Sequence, residues 1–74
     1  MIEKDISHEE IRVYIFGGIE YTINNPVLLQ YREGVSTHRI TDSEGWIHCV
    51  PVPGQYGCAV KWKNKEGKPA KAHF

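Results

Sequence analysis

Turn-forming residues divide this 74-residue chain into segments too short for useful helices. The breaks are Gly17-Gly18, Asn24-Asn25-Pro26, Glu33-Gly34, Asp42-Ser43-Glu44-Gly45, Pro51 with Pro53-Gly54, and Asn64-Lys65-Glu66-Gly67. Glycine supplies positive backbone angles, proline removes a ladder donor, and aspartate bonds to the backbone ahead of it. Between the breaks the apolar rhythm is two residues rather than 3.6. The densest stretch is residues 41–60, TDSEGWIHCVPVPGQYGCAV, which holds Trp46, Tyr56 and both cysteines. It reads as strand, tight turn, strand, proline-framed corner, strand.

Ile11, Val13 and Ile15 alternate with Arg12, Tyr14 and Phe16, the pattern of a strand with one buried face. After Gly17-Gly18, Ile19, Tyr21 and Ile23 continue the alternation against Glu20 and Thr22. Val27–Arg32 is a third expected strand. Val35–Thr41 is a fourth, placed at an edge because Ser36, Thr37, His38 and Arg39 offer little to bury. Trp46–Val50 is a fifth. Tyr56–Lys63 is a sixth, with Tyr56, Cys58, Val60 and Trp62 on one face, and a last hairpin leads into Ala70–Phe74. Residues 1–9 show neither rhythm and are expected to form a flexible N-terminal arm. The capping-box spacing of Ser7 and Glu10 is too short a signal to hold a helix there. The pattern predicts an all-β fold, a small sandwich or barrel of about seven short strands forming one domain over residues 10–74.

The content of 41% hydrophobic and 24% charged residues excludes wholesale disorder. No apolar run approaches the ~20 residues needed to cross a bilayer. The start, MIEKDISHEE, lacks the basic beginning and apolar middle of a secretory signal, so a cytoplasmic or virion location is expected. Net charge is zero, but residues 1–37 are acidic on balance and residues 38–74 basic. That polarity is compatible with head-to-tail contacts or an anionic partner, and equally with a solvated surface.

The run Thr41-Asp42-Ser43-Glu44-Gly45, then alternating residues, then Pro53-Gly54-Gln55-Tyr56, resembles the repeating phrase of the prealbumin-like sandwich families. These include the carboxypeptidase regulatory-like domains and the B-type repeats of collagen adhesins. The strand IRVYIF, residues 11–16, is similar to their first strand. The resemblance implies a Greek-key sandwich, prealbumin-like or immunoglobulin-like, with a tight turn at Asp42 and Gly45. It also implies a register in which Ile47, Cys49, Tyr56, Cys58 and Val60 face the core while Trp46 and His48 face outward. Plain burial logic would send Trp46 inward, and a one-residue slip reverses every side chain. The chain departs from the families in having Ile47 and Cys49 where an aromatic pair is usual, and Cys58 where a valine is usual. Some adhesin repeats carry a lysine–asparagine isopeptide bond. None is expected here, because the first strand has no lysine and Asn64 falls in a turn.

Catalytic chemistry finds no constellation. Ser7, Ser36 and Ser43 lack a glycine-flanked elbow, and Gly17-Gly18 is a turn rather than a phosphate loop. Cys49 and Cys58 are expected as buried thiols, with a disulfide as the lesser alternative. His38, His48, Cys49, Cys58 and His73 have zinc-ligand chemistry. However, His48 and Cys49 point to opposite faces of a strand and no Cys-x-x-Cys pair exists. No cofactor, metal or small-molecule substrate is expected. The functional expectation is a non-catalytic structural or accessory module, a phage virion subunit by analogy. It would contact a protein partner or itself through Trp46 and His48. The alternative is a small barrel that binds nucleic acid or inhibits a protein, using Lys61, Lys63 and Lys65 in the lysine-rich hairpin that continues to Lys71. Those three lysines project from one face while Trp62 points to the other, as in a solvated edge hairpin.

Overall fold

The glycine pair builds the first hairpin. Strands β2 (Glu9–Phe16) and β3 (Ile19–Asn24) are joined through Gly17 and Gly18, whose φ angles of 56° and 76° suit a tight two-residue turn. On its other side β2 pairs with β7 (Ala59–Asn64), giving a three-stranded sheet ordered β3-β2-β7. The second sheet runs β1-β4-β5-β6, from β1 (Ile2–Asp5), β4 (Pro26–Tyr31), β5 (Thr37–Asp42) and β6 (Ile47–Pro51). Every pairing is antiparallel. The computed structural model describes residues 1–66, and among these there is no helix long and apolar enough to cross a membrane. The expected last strand, over residues 70–74, lies outside the described residues, as do Lys68, Lys71 and His73.

The all-β expectation therefore holds as two antiparallel sheets and seven strands among the described residues. The chain passes from one sheet to the other at the β1–β2, β3–β4 and β6–β7 connections. Between the sheets lie Ile6, Tyr14, Ile23, Leu29, Ile40, Val50 and Cys58, with Phe16, Tyr31 and Val60 packed against them. Pro26 stands at the first position of β4, where a missing donor is tolerated, and the ladder to β5 is irregular just after it.

Several expectations are corrected. The N-terminal segment is not an arm: Ile2–Asp5 pairs with β4, and Ile6 is fully buried with its N–H donating to the Val27 carbonyl. β5 is not an edge, because it lies between β4 and β6 and buries His38, Ile40 and Asp42. Strand β2 turns Arg12 and Tyr14 into the core, leaving Ile11 and Ile15 only half-buried. In β6 the expected register is reversed. Ile47 is 52% exposed and Cys49 is exposed, while His48 and Val50 face inward. Tyr56, expected inward, is 83% exposed and sits at φ 52° in the β6–β7 corner. Cys58 and Val60 do face the core as expected.

The register has a direct consequence for stability. Ile40→Ala should lose roughly 2–5 kcal/mol, because a fully buried side chain leaves a cavity in the centre of the larger sheet. Ile47→Ala should stay within about 0.5 kcal/mol of the parent. Urea midpoints followed by circular dichroism check both. Equal losses at the two positions would contradict the observed faces of β5 and β6.

Candidate functional site

Two polar clusters organise the interior and one rim of the sandwich. The first begins on β2. A strand puts residues two apart on one face, so Arg12 and Tyr14 project together between the sheets. Glu9, at the irregular start of the β2–β7 ladder, turns back to meet Arg12. The guanidinium donates from Nε to Glu9 Oε1 at 2.8 Å and from Nη2 to Glu9 Oε2 at 2.9 Å, a bidentate pair with both side chains fully buried. It also donates from Nη1 to the Tyr14 hydroxyl at 3.0 Å and lies 5.1 Å from the centroid of the Trp62 ring.

The chain of bonds then crosses to the other sheet. Arg12 can only donate, so the Tyr14 oxygen accepts there, and the same hydroxyl is hydrogen-bonded to His38 Nδ1, 2.9 Å away on β5. Tyr31 flanks the imidazole with ring centroids 5.0 Å apart. Burial, then the nearby charges of Arg12 and Lys4, push the His38 pKa down to about 4. Burial raises that of Tyr14 to about 12 despite the arginine beside it. At neutral pH the cluster is one fixed ion pair with two neutral groups beyond it.

The second cluster lies at the β5–β6 turn. Asp42 Oδ1 accepts from the backbone N–H of Glu44 at 2.9 Å and of Trp46 at 3.0 Å, and the Asp42 N–H donates to the Trp46 carbonyl at 2.9 Å. Gly45, at φ 88°, closes the turn in a conformation that a side chain would strain. The other oxygen, Oδ2, accepts from His48 Nε2 at 2.8 Å. His48 Nδ1 lies 2.9 Å from the hydroxyl of Tyr21, which belongs to β3 in the opposite sheet. The bond from His48, with the backbone bonds from Trp46 and Glu44, holds the Asp42 carboxyl below the usual carboxylate range. The result is an aspartate–histidine–tyrosine latch between the sheets, with the Trp46 side chain 69% exposed at its tip.

The sequence-derived site residues are therefore separated. Trp46 is on the surface as expected, whereas His48 is turned toward Tyr21 and does not share an outer face with it. Lys61 and Lys63 are exposed on β7 beside Ile11 and Val13, and Lys63 Nζ lies 3.8 Å from Glu10. Trp62 points the other way, onto Arg12. Lys65 follows the strand and donates its N–H to the His8 carbonyl. Cys49 and Cys58 are free thiols, one exposed and one buried, so the expectation that both are buried fails for Cys49. Burial raises the Cys58 pKa. Among the described residues, no three His, Cys, Asp or Glu side chains converge as metal ligands do. Glu9, Arg12, Tyr14, Tyr21 and the inward role of His38 escaped the sequence reading. The usable signals were the Glu9–Arg12 spacing and the histidine just beyond an aspartate turn.

The depressed His38 pKa fixes a sign for acid sensitivity. Above pH 6.5 the imidazole is neutral in both folded and unfolded chains and contributes no pH dependence. As pH falls from 6.5 toward 4, the unfolded chain takes up a proton that the folded chain refuses, so stability drops progressively over that interval. Melting temperatures should fall over that interval in the parent and fall less steeply in His38→Gln. Parallel profiles would show that His38 is not the group responsible.

Compared with protein-family models, curated proteins and solved structures, the chain finds no match.

Proposed function

We propose that this chain is a non-catalytic accessory binding module that works through protein–protein contacts, with Trp46 as its principal contact residue. The observation carrying this reading is the combination of exposure and fixation at Trp46. Its side chain is 69% exposed while both its N–H and its carbonyl are tied to Asp42. An exposed tryptophan on a fixed turn offers large contact area at little ordering cost, which is how binding hot spots are built. Ile47, next to it on β6, extends the apolar surface. Seven strands in two antiparallel sheets support a Greek-key sandwich of prealbumin-like or immunoglobulin-like type. The outward Ile47, Cys49 and Tyr56 weaken the prealbumin-like register in particular. A place in a phage particle remains an analogy from size and architecture.

Nucleic-acid binding is the second reading, and the exposed Lys61 and Lys63 on one face favour it. Base stacking would have to proceed without Trp62, whose half-buried ring is covered by Arg12.

The test immobilises the full chain and its Trp46→Ala variant against extract of the source cells. Trp46→Ala should melt as the parent does, since the side chain buries little, and should lose most of one retained protein. Equal retention by both chains, or unfolding of the variant, overturns the reading. Retention of single-stranded DNA that falls with salt and disappears in Lys61→Gln/Lys63→Gln/Lys65→Gln would move the assignment to nucleic acid.

A further inference from the structure

The outer face of the larger sheet carries a cavity whose walls are apolar and whose only charges are positive among the described residues. Residues directly opposed across an antiparallel ladder share a face, and Gln30, Arg39 and Cys49 form such a row across β4, β5 and β6. His38 and Ile40, the neighbours of Arg39 in β5, are buried, so the row points away from the core. Past Gln30 the chain leaves β4 through Arg32. The Val35 N–H donates back to the Arg32 carbonyl at 3.2 Å and folds the β4–β5 turn beside the row. A surface cavity of about 260 Å³ lies between that turn, the row and Met1.

Met1 and Val35, 63% and 48% exposed, wall this cavity together with Tyr31. Arg32 and Arg39 line it, whereas no Asp or Glu does among the described residues. Neither guanidinium has an ion pair or hydrogen-bond partner among those residues. Glu3, the acid next in the row, is opposite Gln30, and its carboxylate already accepts from the Gln30 amide. Glu33, next to Arg32 in sequence, stays outside the cavity. Like charges gathered on one face of a sheet destabilise it, and an anion between them removes that cost. A guanidinium offers a planar fork of donors that fits the paired oxygens of a carboxylate or phosphate.

We infer that this cavity binds a small organic anion, an acidic head on an apolar body. Arg32 and Arg39 hold the head, and Met1, Tyr31 and Val35 cover the body. Charge selects the head, and the exposed apolar walls select a body over a bare inorganic ion. Size selects a small molecule, because the volume falls just below the roughly 300–1,000 Å³ of pockets for drug-sized ligands. The inference goes beyond the protein-contact reading and makes no use of Trp46.

The experiment titrates the full isotope-labelled chain, kept reduced, with benzoate and separately with phenyl phosphate at low ionic strength. Backbone amide shifts of Thr37, Arg39 and Cys49 should move and saturate, half-way at about 1 mM for at least one probe. Benzamide, which keeps the ring without the charge, should bind about tenfold more weakly, and so should inorganic phosphate. Arg32→Gln and Arg39→Gln should each weaken the better probe about tenfold while the melting temperature is kept, since both side chains are exposed. Lys61→Gln, which removes an exposed cation from the smaller sheet, should leave the affinity unchanged. Failure of both organic anions to saturate by about 10 mM overturns the inference. It is equally overturned if benzamide matches benzoate, if inorganic phosphate matches both probes (an adventitious ion only), or if neither arginine variant weakens binding. Each of these results leaves the Trp46-dependent retention test to judge the binding-module reading on its own.

Discussion

Arg12 is the largest fully buried side chain of the domain, and a guanidinium cannot lose its charge to fit an apolar interior. Taking it out of water costs several kcal/mol unless partners replace the lost hydration. Glu9 supplies the opposite charge, Tyr14 an acceptor, and Trp62 a ring face. Once Arg12 and Tyr14 point inward, the alternation of β2 sends Ile11, Val13 and Ile15 to the far face. The tyrosine hydroxyl then meets His38 on the other sheet, whose imidazole burial keeps neutral at ordinary pH. One ionic group thus fixes the face of β2, the facing register of β5 and the protonation state of a histidine.

The turns of this chain were legible because their chemistry is local. Gly17-Gly18 and the Asp42–Gly45 corner formed as read, and the strand boundaries between them moved by only a few residues. Faces were less legible, because a period of two says that a strand has two sides without saying which is buried. Ranking by hydrophobicity chose Ile11, Val13 and Ile15 over Arg12 and Tyr14. It had no means of knowing that Glu9 would neutralise the arginine. The polar look of residues 36–39 misplaced β5 for the same reason, since His38 is buried by partners from other strands. At the candidate site, Trp46 was readable as a surface residue. The Tyr21–His48 bond was not, because it joins positions 27 apart across the two sheets.

The outside of the molecule is uneven in kind. β1, β3 and β7 expose carboxylates and lysines, which keep edges in water and apart from one another. The segment from Trp46 through Tyr56 exposes aromatic, aliphatic and thiol groups instead. Tyr56 adds a backbone cost, since a positive φ is unfavourable for a bulky residue, and its ring contributes little to the domain's own core. Cohesion and exposed apolar surface therefore lie in different parts of a very short chain.

The Asp42 carboxylate serves two structures with its two oxygens, the turn through one and the imidazole of His48 through the other. The tip and the seam between the sheets are consequently in mechanical series. Trp46 cannot swing away with its backbone without loosening Asp42, and Asp42 cannot move without disturbing the His48–Tyr21 bond to the opposite sheet. Under the proposed binding role, a molecule docking on the tryptophan would meet a backbone already tied at both its N–H and its carbonyl, so less ordering of the main chain would be needed on contact. Occupancy at the tip would in turn be felt as stiffness across the whole thickness of the domain.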